Sequence, residues 1–209
     1  HVAVLDEGDI AFRASRGNFG LVWVQSKGMG MPAYGHWTMS SQALWPELAR
    51  LLNEITGLEV GLEQQGGLHP VLNEEEYEQR IKFMTTLMGQ PGMVKYDWKM
   101  LDHKELKDLV PGIGPEVVGA THTSVDGVAN PLKMLRALHT AFDRQKVDYL
   151  PLHPVGEIEQ KNGVFEMTTP HGVIRAHKVV LASGLNNQTL GNKVGLSIPV
   201  RPQRGQIVV

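Results

Sequence analysis

The sequence contains no cysteine, which excludes disulfides, thiolate metal sites, a cysteine nucleophile and a cysteinyl flavin link within these 209 residues. Neither sign of charge is in excess. The 20 Lys and Arg against 22 Asp and Glu give a formal net charge of −2, so there is no electrostatic footprint for nucleic acid or an anionic membrane. No apolar run reaches the length of a membrane span. The nine histidines are scattered, with no HExxH or other ligand pair at helical spacing, and the expectation is no metal site. A GxSxG elbow and a P-loop are both missing, so hydrolase and phosphoryl-transfer readings have no support. The GxGxxG fingerprint of dinucleotide-binding folds is missing as well.

What remains is an ordinary globular composition. At 42% hydrophobic and 20% charged, the chain can bury a sizeable core as one large or two interleaved domains. It is read as opening directly on a strand, without a charged-then-apolar leader. Its start at His1, mid-motif and without methionine, reads as a fragment.

Four apolar residues, Val2 to Leu5, run into Asp6 and Glu7. This is the pattern of a short strand of a parallel sheet ending on acids at its carboxyl edge. Doubly wound sheets bind nucleotides at that edge, and the acid closing the second strand takes the ribose hydroxyls. Asp6 is placed for that role. The following small, polar run includes Ala14, Ser15, Asn18, Phe19, Gly20 and Leu21. Its glycines let bare backbone N–H groups approach a pyrophosphate. The plainer readings stay open, since such strands also occur in proteins that bind no nucleotide and a loop with Gly17 and Gly20 can be only a loop.

Lys27 to Gly35 reads as a glycine- and methionine-rich loop. A helix is expected over His36–Thr56, with Trp37, Leu44, Leu48, Leu51, Leu52 and Ile55 at helical spacing, Gly57 as its C-cap and a kink at Pro46. Trp37 and Trp45 are read as packing residues. Val60 to Leu72 is read as two short strands around Gly66 and Gly67. Asn73 with Glu76, and Asp102 with Glu105, are capping boxes for helices over Glu74–Leu87, with a solvated glutamate-rich face, and up to Leu109. Strands are expected over Val94–Leu101 and Val117–Thr123, the latter leading into an Asp126-Gly127 turn. Asn130-Pro131 opens a helix to about Gln145 with Leu132, Leu135, Leu138, Ala141 and Phe142 inward. A strand at Val147–Leu152 leads to Val155. Asn162-Gly163 and His171-Gly172 mark a three-stranded meander, and the apolar run Lys178 to Gly184 reads as a strand meeting small residues, Ala182 and Gly184.

Taken in order, these segments resemble the D-amino-acid oxidase superfamily of FAD-dependent oxidoreductases, in particular its glycine oxidase, sarcosine oxidase beta, opine oxidase and hydrogen cyanide synthase members. The resemblance runs from Val2 to Gln206. It is strongest at the first loop, at Ser124–Pro131, at Val179–Gly184 and at Pro199–Gln206. Asp6, Ser15 nine residues on and Gly20 five further keep the family's flavin-contact spacing. The resemblance implies an α/β fold in which an interrupted Rossmann-like FAD-binding domain with a β-meander is interleaved with an α+β, mixed-sheet substrate domain. It places the FAD-binding domain at 1–56 and 126–196, and the substrate domain at 57–125 with its second part beginning at 197–209. FAD contacts are implied for Asp6, Glu7, Ala14, Ser15, Asn18, Phe19, Gly20, Leu21, Val155 through its backbone, Ala182 and Gly184.

The activity implied for the complete protein is oxidation of the C–N bond of an amino acid, secondary amine or opine, with FAD as hydride acceptor. The cofactor carries that chemistry, and no catalytic side chain is assigned. In the family an arginine commonly holds the substrate carboxylate, and Arg201 and Arg204 are the only candidates near the expected flavin face. The implied partners are a small amino acid or amine and the other subunits of a multi-subunit dehydrogenase. Nucleic acid and a membrane span are not among them. A cytoplasmic location, or one peripheral to the inner membrane, is implied. Two other classes stay open, a non-catalytic scaffold subunit of the same fold and an NAD-binding Rossmann protein using Asp6 on the ribose. Because the glycine fingerprint that seats the pyrophosphate is missing, these 209 residues purified alone are expected to bind FAD weakly or not at all. Tight, saturable yellow binding in an equilibrium titration would refute this.

Overall fold

The computed structural model describes residues 1–8 and 14–205. The elements in chain order are β1 (Ala3–Leu5), β2 (Leu21–Val22), α1 (Pro32–Thr56), β3 (Gly67–Val71), α2 (Glu74–Gly89), β4 (Lys99–Asp102), α3 (His103–Leu109), β5 (Gly119–Thr123) and β6 (Gly127–Val128). They continue with α4 (Pro131–Arg144), β7 (Asp148–Leu150), β8 (Glu157–Lys161), β9 (Val164–Thr169), β10 (Gly172–Ala176), a 3-10 turn (Gly184–Asn186) and α5 (Asn187–Lys193). The chain divides into two compact units, one of residues 1–17 with 142–209 and one of residues 18–141.

The larger unit is built on the antiparallel sheet β3-β5-β4, with β5 central. Gly119, Ala120, Thr121 and Thr123 of β5 are buried, as expected of a strand paired on both sides. Local chemistry sets the helix ends. The Asn73 side chain accepts the Glu76 N–H at 2.8 Å while Glu76 accepts the Leu72 N–H at 2.8 Å. Asp102 and Glu105 form a full capping box at 2.8 and 3.0 Å. Gly57 closes α1 in the left-handed region, φ 72°, donating its N–H to Asn53.

Helix α1 begins earlier than its apolar pattern indicates, because Pro32 suits the first turn, and it continues through Pro46. Leu52 is buried and Leu48, Ala49 and Ile55 pack with it against Val60, Met134, Ala137, Leu138 and Ala141. Trp37 is not a packing residue: it is 71% exposed, and Leu44 and Leu51 share its outward position seven and fourteen residues on. In α4 the inward face is Met134, Ala137, Leu138 and Ala141, an i, i+3, i+4, i+7 stripe that leaves Leu132 outside. The expected pair of strands over Val60–Leu72 is one strand, β3, plus an isolated bridge from Glu63 to Val128. The strand expected from Val94 is only β4, because Met93, Val94, Tyr96 and Trp98 instead pack against α2 around Met84 and Leu87.

The smaller unit contains β1 and β7, which pair in parallel with Ala3 opposite Asp148 and Leu5 opposite Leu150. This is the parallel pairing of an α/β fold. The meander β8-β9-β10 is antiparallel, and Asn162 and Gly163 both have positive φ, 52° and 79°, as the tight hairpin requires. Residues 178–183 form no strand. The run is apolar, but no neighbouring strand among the described residues offers it a ladder, and Val180 is 87% exposed. Leu101, fully buried with Leu106 and Ala120, is central to the larger unit. Leu101→Ala is expected to cost about 3 kcal/mol in urea denaturation, and a loss under about 1 kcal/mol would contradict this packing.

Candidate functional site

In the smaller unit Asp6 sits just past the carboxyl end of β1. Its N–H donates to Leu150 O at 3.0 Å, and its own carbonyl accepts the His153 N–H at 2.8 Å. These bonds hold the acid beside the exit of β7, and the chain reaches half-buried Val155 two residues after His153. Asp6 Oδ1 accepts the Gly8 N–H at 2.8 Å, which closes a turn over Glu7. Gly8 has φ 137°, and a Cβ there would lie 3.1 Å from Leu152, so a glycine suits the tight exit. Glu7, Ala14, Ser15 and Ala182 are exposed. Gly184 opens the 3-10 turn with φ 60°, while the Ser183 N–H and hydroxyl both donate to Asn187 Oδ1 at 2.9 and 2.7 Å. Arg201 and Arg204 are exposed. Gln206, the end of the last resembling segment, lies outside the described residues.

Asn18, Phe19, Gly20 and Leu21 belong to the larger unit. Asn18 Oδ1 accepts the Gly20 N–H at 2.8 Å, and Gly20 O accepts the Ala129 N–H at 2.9 Å. Gly20 has φ 74°, and a Cβ on it would fall 1.8 Å from Ala129 O. No side chain fits there. The glycine is therefore required by a backbone approach, and it leads into the β2–β6 pairing of Leu21 with Val128. Phe19 and Leu21, on either side, are 57% and 50% exposed.

Immediately after β2 lies a buried polar cluster that sequence reasoning missed. Arg80 uses all three guanidinium nitrogens: Nε donates to Thr121 Oγ1 at 2.9 Å, Nη1 to Ser26 Oγ at 2.8 Å and Nη2 to Gln25 Oε1 at 2.9 Å. Gln25 Nε2 donates to Gly67 O at 3.1 Å. Asp126 Oδ1 accepts the Val24 N–H at 2.5 Å and the Gln25 N–H at 3.4 Å. Among the described residues, neither Asp126 Oδ2 nor the Tyr96 hydroxyl, both buried, has a hydrogen-bond partner. Burial pushes the Asp126 carboxyl above its ordinary 3.8, the Val24 N–H opposing this, and pushes the Tyr96 hydroxyl up to about 12, with Asp126 adding to that rise. Burial also lowers the Arg80 guanidinium below its ordinary value, against the pull of Tyr96 and Asp126, yet a guanidinium stays charged at neutral pH. The available signal was that Arg80 lies on the inward stripe of α2 with Met84 and Leu87, not on its glutamate face.

The fold and these sites define a mixed α/β chain that presents an acid at the carboxyl edge of a parallel strand, as dinucleotide-binding oxidoreductases do. The comparisons give the family. Residues 1–209 match the DAO family, FAD dependent oxidoreductase, and the chain belongs to it. It is 41% identical over 206 residues to an opine oxidase subunit of Agrobacterium tumefaciens (strain Ach5), covering 99% of this chain and 56% of that protein. It is 28% identical over 209 residues to glycine oxidase of Geobacillus kaustophilus (strain HTA426), covering 100% of this chain and 54% of that protein. The crystal structure of glycine oxidase from Geobacillus kaustophilus superposes with TM-score 0.81 at 27% identity, over 94% of this chain and 52% of that one. The chain thus spans about half the length of the relatives it matches.

FAD is the cofactor of this family, and it is bound in the fold neighbour L-alpha-glycerophosphate oxidase from Mycoplasma pneumoniae, TM-score 0.69 at 19% identity over 92% of this chain and 50% of that one. The residues present fit the group. In the smaller unit Asp6, at the carboxyl end of a parallel strand, is the type of group that accepts ribose hydroxyls. In the larger unit the exposed side chains of Phe19 and Leu21 offer apolar surface of the kind a flat ring system covers. Among the described residues no helix is long and apolar enough to cross a membrane.

The raised Asp126 carboxyl gives a pH prediction. The folded protein holds this proton to higher pH than the unfolded chain, so its contribution to stability is full below 3.8 and is lost as pH rises through the raised value. Asp126→Asn, which keeps the acceptor for Val24, removes that loss. Wild type should therefore fall behind Asp126→Asn in denaturation midpoint between acid and neutral pH. Parallel pH profiles would contradict a buried, elevated Asp126.

Proposed function

We propose that the protein carrying this chain is an FAD-dependent oxidoreductase that oxidises the C–N bond of an amino acid, secondary amine or opine. The observation that carries this reading is Asp6, held beside the exit of β7 in a chain that matches the family throughout. When bound, FAD supplies the acceptor for the hydride leaving the substrate carbon. The oxidised product is an imine, which water hydrolyses to a carbonyl compound and an amine.

This chain's residues supply binding and orientation. Asp6 accepts the ribose hydroxyls, with Glu7 beside it. The Val155 backbone meets the adenine. Ala14, Ser15, Asn18, Phe19, Gly20 and Leu21 line the cofactor, and Ala182 and Gly184 keep their positions low enough for a flat ligand to lie close. Exposed Phe19 and Leu21 offer apolar surface against which it excludes water. Relatives named as subunits of opine oxidase and of hydrogen cyanide synthase support a role within a multi-subunit enzyme.

The test is anaerobic titration of the intact protein with D-amino acids, glycine, sarcosine, proline and opines. One class should bleach the yellow absorption. A protein that holds FAD but is reduced by none of them would favour a scaffold subunit. Asp6→Ala should weaken FAD binding by about tenfold or more, the worth of a charge-assisted hydrogen bond, in an equilibrium titration. An unchanged affinity would remove Asp6 from the site.

A further inference from the structure

We propose that Arg80 and Asp126 are positioning residues that clamp the Asn18–Ser26 segment in the one conformation it presents to FAD; this rests on the proposed function. Neither residue lies in the flavin-contact run. They act on three consecutive residues that follow it, Val24, Gln25 and Ser26. The Trp23 ring lies against Gly67, where a Cβ would come within 2.5 Å of it. Val24 and Gln25 are held by their backbone N–H groups on Asp126 Oδ1. Gln25 is gripped a second time through its fully buried amide, between Arg80 and Gly67 O. The Ser26 hydroxyl is bound by Arg80 while its backbone sits at φ 74°, a conformation a serine adopts only when its surroundings impose it.

The clamp connects directly to the contact run. Asp126 precedes Gly127, whose partner in the β2–β6 ladder is Val22, and Val128 pairs with Leu21. Ala129 then bonds Gly20. One short stretch, Asp126 to Ala129, therefore fixes residues 20 to 25 from a single side, and Arg80 fixes 25 and 26 from another.

Burying a cation is a poor way to gain stability, because apolar residues of similar volume commonly do as well or better. What the guanidinium adds is direction. Its planar fork defines three bond vectors at once, aimed here at Thr121, Gln25 and Ser26, whereas a lysine provides charge without the fork. That geometry suits a part whose orientation matters more than its attachment.

The experiment compares Arg80→Met, Arg80→Lys and the milder Ser26→Ala in the intact protein. Hydrogen–deuterium exchange of the apoprotein is read for peptides covering 18–26 and, as control, 157–176, the β8–β10 meander, whose residues are not among the hydrogen-bond partners of Arg80. FAD Kd and the visible circular dichroism of the bound flavin are read in parallel. Exchange over 18–26 should accelerate about tenfold or more in Arg80→Met with the control peptides little changed. The FAD Kd should rise about tenfold and the dichroism change. Arg80→Lys should restore neither fully, and Ser26→Ala should show a smaller effect of the same kind even if the arginine variants fail to fold. Unchanged exchange over 18–26 overturns the inference, as does accelerated exchange with an unaltered Kd and dichroism, or a lowered melting temperature with exchange rising equally everywhere. A wild-type protein that takes up no FAD counts against the proposed function, whereas the exchange measurement judges the clamp separately.

Discussion

A charged group inside a protein has to be met on every side by polar partners, and in the larger unit Arg80 imposes that condition on its neighbours. It leaves the inward stripe of α2 and reaches the central strand through Thr121 and the stretch after β2 through Gln25 and Ser26. Because Gln25 must also reach Gly67 O and Thr121 must donate to Gln25, the arginine's three bonds become a closed set that a shift in any one element would break. The sheet, α2 and the run beyond β2 are thus registered against each other by polar geometry, while the apolar clusters around Leu52, Met84 and Leu101 supply most of the driving force.

The smaller unit works on a different constraint. Its parallel pair is short, and what fixes its functional edge is backbone bonding past the strand ends, from Asp6 to Leu150 and from His153 to Asp6. A carboxylate on a strand end would swing with the chain if the strand frayed. Here the acid's own N–H and C=O are both tied to the segment at the exit of β7, and its side chain accepts the Gly8 N–H, so its direction is set before any ligand arrives.

Features governed by neighbours in sequence were legible. The Asn73 and Asp102 caps, Gly57 at the end of α1, the Asn162-Gly163 hairpin and the acid closing β1 each depend on a handful of adjacent residues. Features governed by distant residues were not. Residues 178–183 have the composition of a strand, but a strand also needs a ladder partner. Trp37 and Leu132 match a helical period, yet exposure is decided by which face meets Leu52 and Ala137. Arg80 drew no reading from the sequence because its partners, at positions 25, 26 and 121, come from elsewhere in the chain. Gly20 was recognised as special, though its cause, the Ala129 carbonyl, lies on a strand exit far along the sequence.

The space beside Gly20 is filled by that carbonyl, while Phe19 and Leu21 project outward on either side. Variation along this run is consequently segregated position by position. Drift or a mutant library can explore bulk and polarity at 19 and 21, and any side chain at 20 would have to push two strands apart. Related sequences would therefore be expected to vary on the flanks, within what a flat apolar contact tolerates, and to agree at the centre.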